Sequence, residues 1–209
     1  MHGTVAQKIG RVITNLVLHP QYIPRCVTHN VINGKTPLDL EVPWFSYAAI
    51  DFLKSFLDRD MTVCEYGSGG STLFFARRVK SVISIEDNAR WYDLVSRRLE
   101  EKSIQNVTLR LYPFDFKNPT GFENSAYLHA LPEEKFDVIV VDGSEEWHHV
   151  RPVCFEKAER RIKEGGIIVV DDSWRYPRLR QQNHARRCRV FQSVGPCRPG
   201  VTSTDVFFY

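Results

Sequence analysis

Two stretches of this chain, Phe136 to Asp142 and Ile167 to Asp171, read as strands built on the aliphatic runs Val-Ile-Val-Val and Ile-Ile-Val-Val, which show no polar alternation. Strands that read this way are covered on both faces, as the central strands of a parallel sheet are. Around them, short apolar runs take turns with segments of helical period. Met61 to Tyr66, Ser81 to Glu86 and Val107 to Tyr112 read as strands, and Ser71 to Arg78, Ala89 to Lys102 and Trp147 to Lys163 as helices. This alternation predicts βαβ units and an α/β fold. Ahead of it, Val5 to Leu18 reads as an amphipathic helix, His19 to Pro43 as loop, and Tyr47 to Leu57 as a helix. Residues 113–135 read as a long loop, a length usually reserved for binding. After Asp172 comes a basic, helix-like stretch, then strands at Arg189–Val194 and Thr204–Tyr209 around a Gly195-Pro196…Pro199-Gly200 turn.

At 209 residues with 43% hydrophobic and 25% charged positions, the chain can bury a full core. No apolar run approaches the ~18 residues of a membrane span, and the first residues make a poor signal peptide. Five cysteines without CxxC spacing point to free thiols in a reducing, cytoplasmic compartment. The charge is unevenly placed. Residues 1–38 carry four Lys or Arg and residues 173–204 seven Arg, neither with any acid, so the remainder carries −8 within a total of +3. Two basic flanks around an acidic middle read either as a functional gradient or as solvated surface.

The first strand ends in Glu65-Tyr66-Gly67-Ser68-Gly69-Gly70-Ser71-Thr72 and runs into a helix. A strand, a glycine turn and a helix start present backbone N–H groups to a ligand. Thr72 stands where a dinucleotide fingerprint wants its third glycine, and Glu65 beside the turn repels phosphate and suits an amine-bearing ligand. Glu86 ends the second strand, followed by Asp87, where a carboxylate can accept two ribose hydroxyls.

ExGxGGS after the first strand, an acid ending the second and an Asp ending the fourth resemble a class I S-adenosylmethionine-dependent methyltransferase. The similarity spans roughly residues 61–209 and is greatest to bacterial members with a Pro-Trp-Phe-Ser-Tyr-like segment (here Pro43 to Tyr47), EYGSGGST and a VDG fourth strand. The resemblance implies a Rossmann-like, doubly wound, seven-stranded and mostly parallel sheet in a three-layer sandwich, its last strand antiparallel. It also implies an extension over 1–45 and a cofactor-binding domain over 46–209. Glu65, Gly67 and Gly69 would hold the methionine moiety, with Tyr66, Ser68, Ser71 and Thr72 completing the turn. Glu86 and Asp87 would take the ribose side, Asp115 the adenine amine with Phe114 beside the ring, and Asp142 the far side.

The acceptor's activation is open in the sequence. Groups at the carboxyl ends of strands face the ligand crevice. Asp142, Asp171 and Asp172 are placed there, and such hard oxygens can hold Mg²⁺. That pattern is similar to metal-dependent O-methyltransferases of antibiotic sugars, but the following Gly-Ser-Glu-Glu-Trp-His-His departs from them. The alternative is that Asp142 orders the cofactor side while Asp171 and Asp172 cap the next segment. His148, after the fourth strand, is a candidate general base beside Asp142 and Asp171. Arg175 and Arg178 suit an anionic acceptor, and Trp44 and Trp174 can stack on a sugar or ring. The expectation is O-methylation of a small-molecule or glycan-type acceptor. RNA or protein acceptors on the basic flanks, a non-catalytic relative and an NAD-linked dehydrogenase are weaker alternatives. Peripheral membrane contact by the basic first helix stays open.

Overall fold

In the computed structural model, residues 4–32, 34–118, 120–144 and 149–209 are described. A seven-stranded sheet runs in the order β3-β2-β1-β4-β5-β7-β6. Its strands are β1 (Thr62–Tyr66), β2 (Ser81–Glu86), β3 (Val107–Leu111), β4 (Phe136–Val141), β5 (Ile162–Val170), β6 (Arg187–Val194) and β7 (Val201–Phe208). β1 to β5 are mutually parallel, and β7 slots antiparallel between β5 and β6. The expected seven-stranded, mostly parallel architecture with an antiparallel last strand is therefore present.

Side chains alternate between the two faces of each strand. On one face Val63, Val82, Val138, Val140, Ile167, Val169 and Val206 pack against α3 (Tyr47–Phe56) and α4 (Gly70–Ala76). On the other, Cys64, Tyr66, Ile139, Val141, Ile168 and Val170 meet α6 (Val150–Glu159) and residues 116–131. α5 (Ala89–Glu101) packs Val95 and Leu99 with Leu38 and Leu73. Its start is fixed by Asn88, whose side-chain oxygen accepts the Trp91 N–H at 3.0 Å.

Three expectations change. Residues 20–32 are not loop but a 3₁₀ turn (Pro20–Tyr22), a short helix α2 (Ile23–Val27) and a π turn (Thr28–Ile32). Tyr22 there packs its ring 5.7 Å from that of Tyr47. The helix expected over 147–163 ends at Glu159, and β5 begins at Ile162, paired with Phe136 ahead of a register shift. Trp147, its expected start, lies outside the described residues. The 113–135 loop is core rather than a binding loop. Phe114, Phe116, Phe122 and Tyr127 interlock with centroids 4.9–6.3 Å apart and cover the sheet where a helix would otherwise lie.

The first helix, α1 (Val5–Leu18), starts with a capping box between Thr4 and Gln7 and docks on β6 and β7. Asn15 accepts the Val194 N–H at 3.0 Å, while Val12 and Leu16 touch the core. Ahead of α3, residues 37–42 cross over the glycine turn. A Cβ at Gly70 would run into the carbonyl oxygens of Pro37 and Val42.

Candidate active site

The carboxyl ends of β1, β2, β4 and β5 open into one crevice of about 1040 Å³. Its floor is the turn after β1. Gly67 has φ +92°, and a Cβ there would lie 2.7 Å from the Asp142 carbonyl oxygen, so position 67 requires glycine twice over. Gly69 has φ +150° and faces the Trp91 ring, whose indole N–H donates to the Ser68 carbonyl at 2.6 Å. Glu86 closes this end. One of its oxygens accepts the Ser68 N–H at 3.0 Å and the Ser68 hydroxyl at 2.6 Å; the other accepts the Asp87 and Asn88 N–H groups at 3.1 and 3.0 Å. Burial raises its pKa against these donors.

The opposite end is ionic. Arg151, on the first turn of α6 and 3% exposed, lies 3.1 Å from Asp142. The same guanidinium donates to the Gly143 carbonyl at 2.8 Å and the Asp171 carbonyl at 2.6 Å, tying the ends of β4 and β5 together. Arg198, in the β6–β7 turn, reaches Asp172 at 2.9 Å and Asp171 at 3.4 Å. Thr202 and Trp174 donate to Asp172, and Thr204 to Asp171 at 2.7 Å. Burial drives the Asp171 carboxyl well above the usual range; the Asp142 and Asp172 charges add to this, and Arg198 and Arg151 oppose it. Two aromatic rings carry guanidinium groups at this end, Trp174 under Arg175 at 4.7 Å and Trp44 under Arg198 at 5.2 Å.

A family of methyltransferase domains matches residues 64–173, a span that includes the glycine turn, Glu86, Asp142, Asp171 and Asp172. The chain belongs to that methyltransferase-domain family. No curated protein matches the sequence. Among solved structures, a protein assigned as an O-methyltransferase from Klebsiella pneumoniae is similar, with TM-score 0.62 and 16% identity over 97% of this chain and 98% of that one. An O-methyltransferase from Bacillus cereus in complex with S-adenosylhomocysteine has TM-score 0.58 and 16% identity, covering 95% and 100%. An rRNA methylase from Streptococcus thermophilus has TM-score 0.56 and 17% identity, covering 84% and 98%. At these identities the likeness is one of fold.

Within this methyltransferase fold the expected site residues separate into two groups. Gly67, Ser68, Gly69, Ser71, Glu86, Asp87, Asp142, Asp171, Asp172, Trp44, Trp174 and Arg175 all line the crevice. Glu65, Tyr66, Thr72, Phe114, Asp115 and Arg178 do not. Glu65 points under α4, where it accepts from Thr72 and from Ser84, its neighbour in the β1–β2 register, at 2.5 and 2.6 Å. Burial pushes it up to about 7. Tyr66 points to the opposite face and donates to the Leu128 carbonyl at 2.9 Å. Phe114 is part of the aromatic loop, and Asp115 is exposed, accepting the Lys117 N–H at 3.0 Å. Arg178 is exposed in the 3₁₀ turn Pro177–Arg180. His148 lies outside the described residues.

The three aspartates do not fit a divalent cation as they stand. Arg198 occupies Asp171 and Asp172, Arg151 occupies Asp142, and among the described residues no group of three His, Cys, Asp or Glu is arranged to hold a metal. Arg151, Arg198, Trp91, Lys8 and Arg11 also line the crevice without having been expected there. Arg151 had a visible signal, a lone arginine on the buried Val150–Cys154–Phe155–Ala158 side of its helix. Arg198 had none, because the insertion of β7 beside β5 is what brings its turn to the crevice.

Proposed function

We propose that the protein is an S-adenosylmethionine-dependent methyltransferase that methylates a hydroxyl on a small-molecule or glycan-type acceptor bearing an anionic group. The observation that carries this is the continuity of the crevice. One cavity joins the glycine turn and Glu86 to the Asp142–Asp171–Asp172 cluster. Its volume, at the upper end of the range for ligand sites, leaves space for donor and acceptor together. The cofactor complex of the Bacillus cereus relative is consistent with this.

The cofactor, when bound, supplies a methyl group on a positively charged sulfur that is displaced in line. The residues of this chain bind, align and handle the proton. Gly67 and Gly69 let the ligand approach the backbone closely, and the Glu86 carboxylate, held by the Ser68, Asp87 and Asn88 N–H groups, accepts ribose hydroxyls as the Ser68 hydroxyl gives way. Trp91 walls the turn. The acceptor hydroxyl lies toward Asp171, whose carboxylate takes its proton as the new O–C bond forms, a role favoured by a pKa nearer neutrality. Arg151 and Arg198 keep the charge of this cluster balanced, and Lys8 and Arg175 attract the anionic acceptor.

An RNA acceptor is less well supported. On strand β6, Arg187 stacks over Phe208 of β7 and Arg189 over Phe191, and Arg180 and Arg186 pair with Asp205 and Glu164, so they form no track into the crevice.

Calorimetry with S-adenosylmethionine and S-adenosylhomocysteine tests the cofactor. Micromolar binding supports the reading, and absent binding leaves the fold without its chemistry. A product screen on phosphorylated or carboxylated sugars and phenols tests the acceptor class.

A further inference from the structure

Two segments outside the matched residues 64–173 meet at the ionic end of the crevice. One is the β6–β7 turn, which leaves the sheet after the Val194–Val201 pair and carries Arg198. The other is the segment ahead of α3, with the π turn and Trp44. Asn30, on the π turn, joins them. Its side-chain oxygen accepts the Arg198 backbone N–H at 2.7 Å, and its amide group donates to the Gly195 carbonyl at 3.3 Å and the Cys26 carbonyl at 3.0 Å. A side-chain amide carries a donor and an acceptor side by side, so this one residue holds both ends of the turn while staying tied to its own element.

Three neighbouring contacts seat the turn closely. The Cys197 thiol, on a residue with φ +53°, donates to the Lys35 carbonyl at 3.0 Å. A Cβ at Gly195 would lie 2.6 Å from the Phe45 carbonyl oxygen. The Trp44 ring carries the Arg198 guanidinium 5.2 Å from its centroid. Arg198 therefore enters the crevice from a backbone fixed by Asn30 and over a ring from the same segment, and there it meets Asp172 at 2.9 Å and Asp171 at 3.4 Å. We propose that Asn30 is a positioning residue, which holds the β6–β7 turn so that Arg198 stays on Asp171 and Asp172. Its effect on methyl transfer rests on the reaction proposed above, whereas the placement of Arg198 does not. Asn15 is the natural control. It accepts the Val194 N–H at 3.0 Å, on the same strand but short of the turn.

Proton–nitrogen NMR of the cofactor-free protein tests the assignment, with the Arg198 guanidinium signals identified by Arg198→Lys. An ion pair slows guanidinium rotation and protects its N–H protons, so the wild type shows these signals resolved. Asn30→Ala and Asn30→Ser broaden or lose them in a protein that still melts cooperatively. Asn15→Ala lowers the melting temperature and leaves them in place. In methyl-transfer assays Asn30→Ala lowers kcat by about 10²-fold with KM for S-adenosylmethionine unchanged. Arg198 signals untouched by both Asn30 variants, or lost equally in Asn15→Ala, overturn the proposal, and so does a freely rotating guanidinium in the wild type. The NMR readout needs neither cofactor nor acceptor, so it stands or falls apart from the reaction.

Discussion

The two ends of the crevice hold negative charge in different ways. At the glycine turn a single carboxylate, Glu86, is satisfied by neutral donors, three backbone N–H groups and one hydroxyl. At the far end three carboxylates are locked to two arginines and two threonines. The Ser68 hydroxyl can rotate away without breaking an ion pair, so on the proposed reading the first end accepts a ligand's own hydroxyls. A buried ion pair is costly to break because it leaves a charge without compensation, so the second end is a fixed field. On the proposed reading, the difference gives reversible recognition to one half and, to the other, a preorganised field within which Asp171 takes the proton.

That contrast breaks hardest at Asp171. Asp171→Asn should lower kcat by about 10²–10⁴-fold while binding S-adenosylmethionine normally. In the wild type the rate should fall as pH drops through the raised pKa of this group, because only the ionised form takes a proton; a flat acid limb would remove Asp171 from the role. Arg151→Ala should cost about 3–5 kcal/mol in denaturant unfolding, since it strands Asp142 and releases the β4 and β5 carbonyls. A loss under 1 kcal/mol would mean that the far end is not held as described.

Glu65 provides a control between the two, a carboxylate beside the crevice that does not face it. Its folded pKa of about 7 lies above the ordinary glutamate value of 4.5, so folding favours the protonated form. The penalty is absent below pH 4.5, grows as pH rises, and is complete above 7. At about 1.4 kcal/mol per pH unit it reaches roughly 3 kcal/mol. Glu65→Gln should flatten that part of the stability profile, measured by urea unfolding from pH 4.5 to 8. Glu86→Ala should weaken S-adenosylmethionine binding by about 1–3 kcal/mol in calorimetry, with little effect on kcat at saturation. The smallest effect expected is that of EDTA, which should leave activity unchanged; a loss restored by Mg²⁺ would show that the arginines give way to a cation.

Much of the sheet was legible because its central strands are apolar on both faces. Ser81–Glu86 reads to the residue, and the aliphatic runs Val138–Val141 and Ile167–Val170 read as interior strands. The start of β5 was not legible, because Ile162-Lys163-Glu164 continues a helical pattern and only the pairing of Ile162 with Phe136 makes it strand. In the site, sequence position puts both Glu86 and Glu65 at strand ends, but only Glu86 lines the crevice. The two-residue alternation turns Glu65 under α4 beside Ser84. Asp115 lies exposed outside the crevice, on a loop whose aromatic residues cover the sheet. Arg198 depends on a strand order that no local pattern encodes.

Gly70 has one further meaning. Gly67 is kept bare from below, by the Asp142 carbonyl, whereas Gly70 is kept bare from above, by the chain that passes over it at Pro37 and Val42. The two glycines look alike in the sequence but answer to different neighbours. In a relative that has lost the 37–42 crossing, alanine or serine could replace the glycine equivalent to Gly70 while the one equivalent to Gly67 stayed fixed. The spelling of the turn is in this sense a record of the outer chain as well as of the ligand.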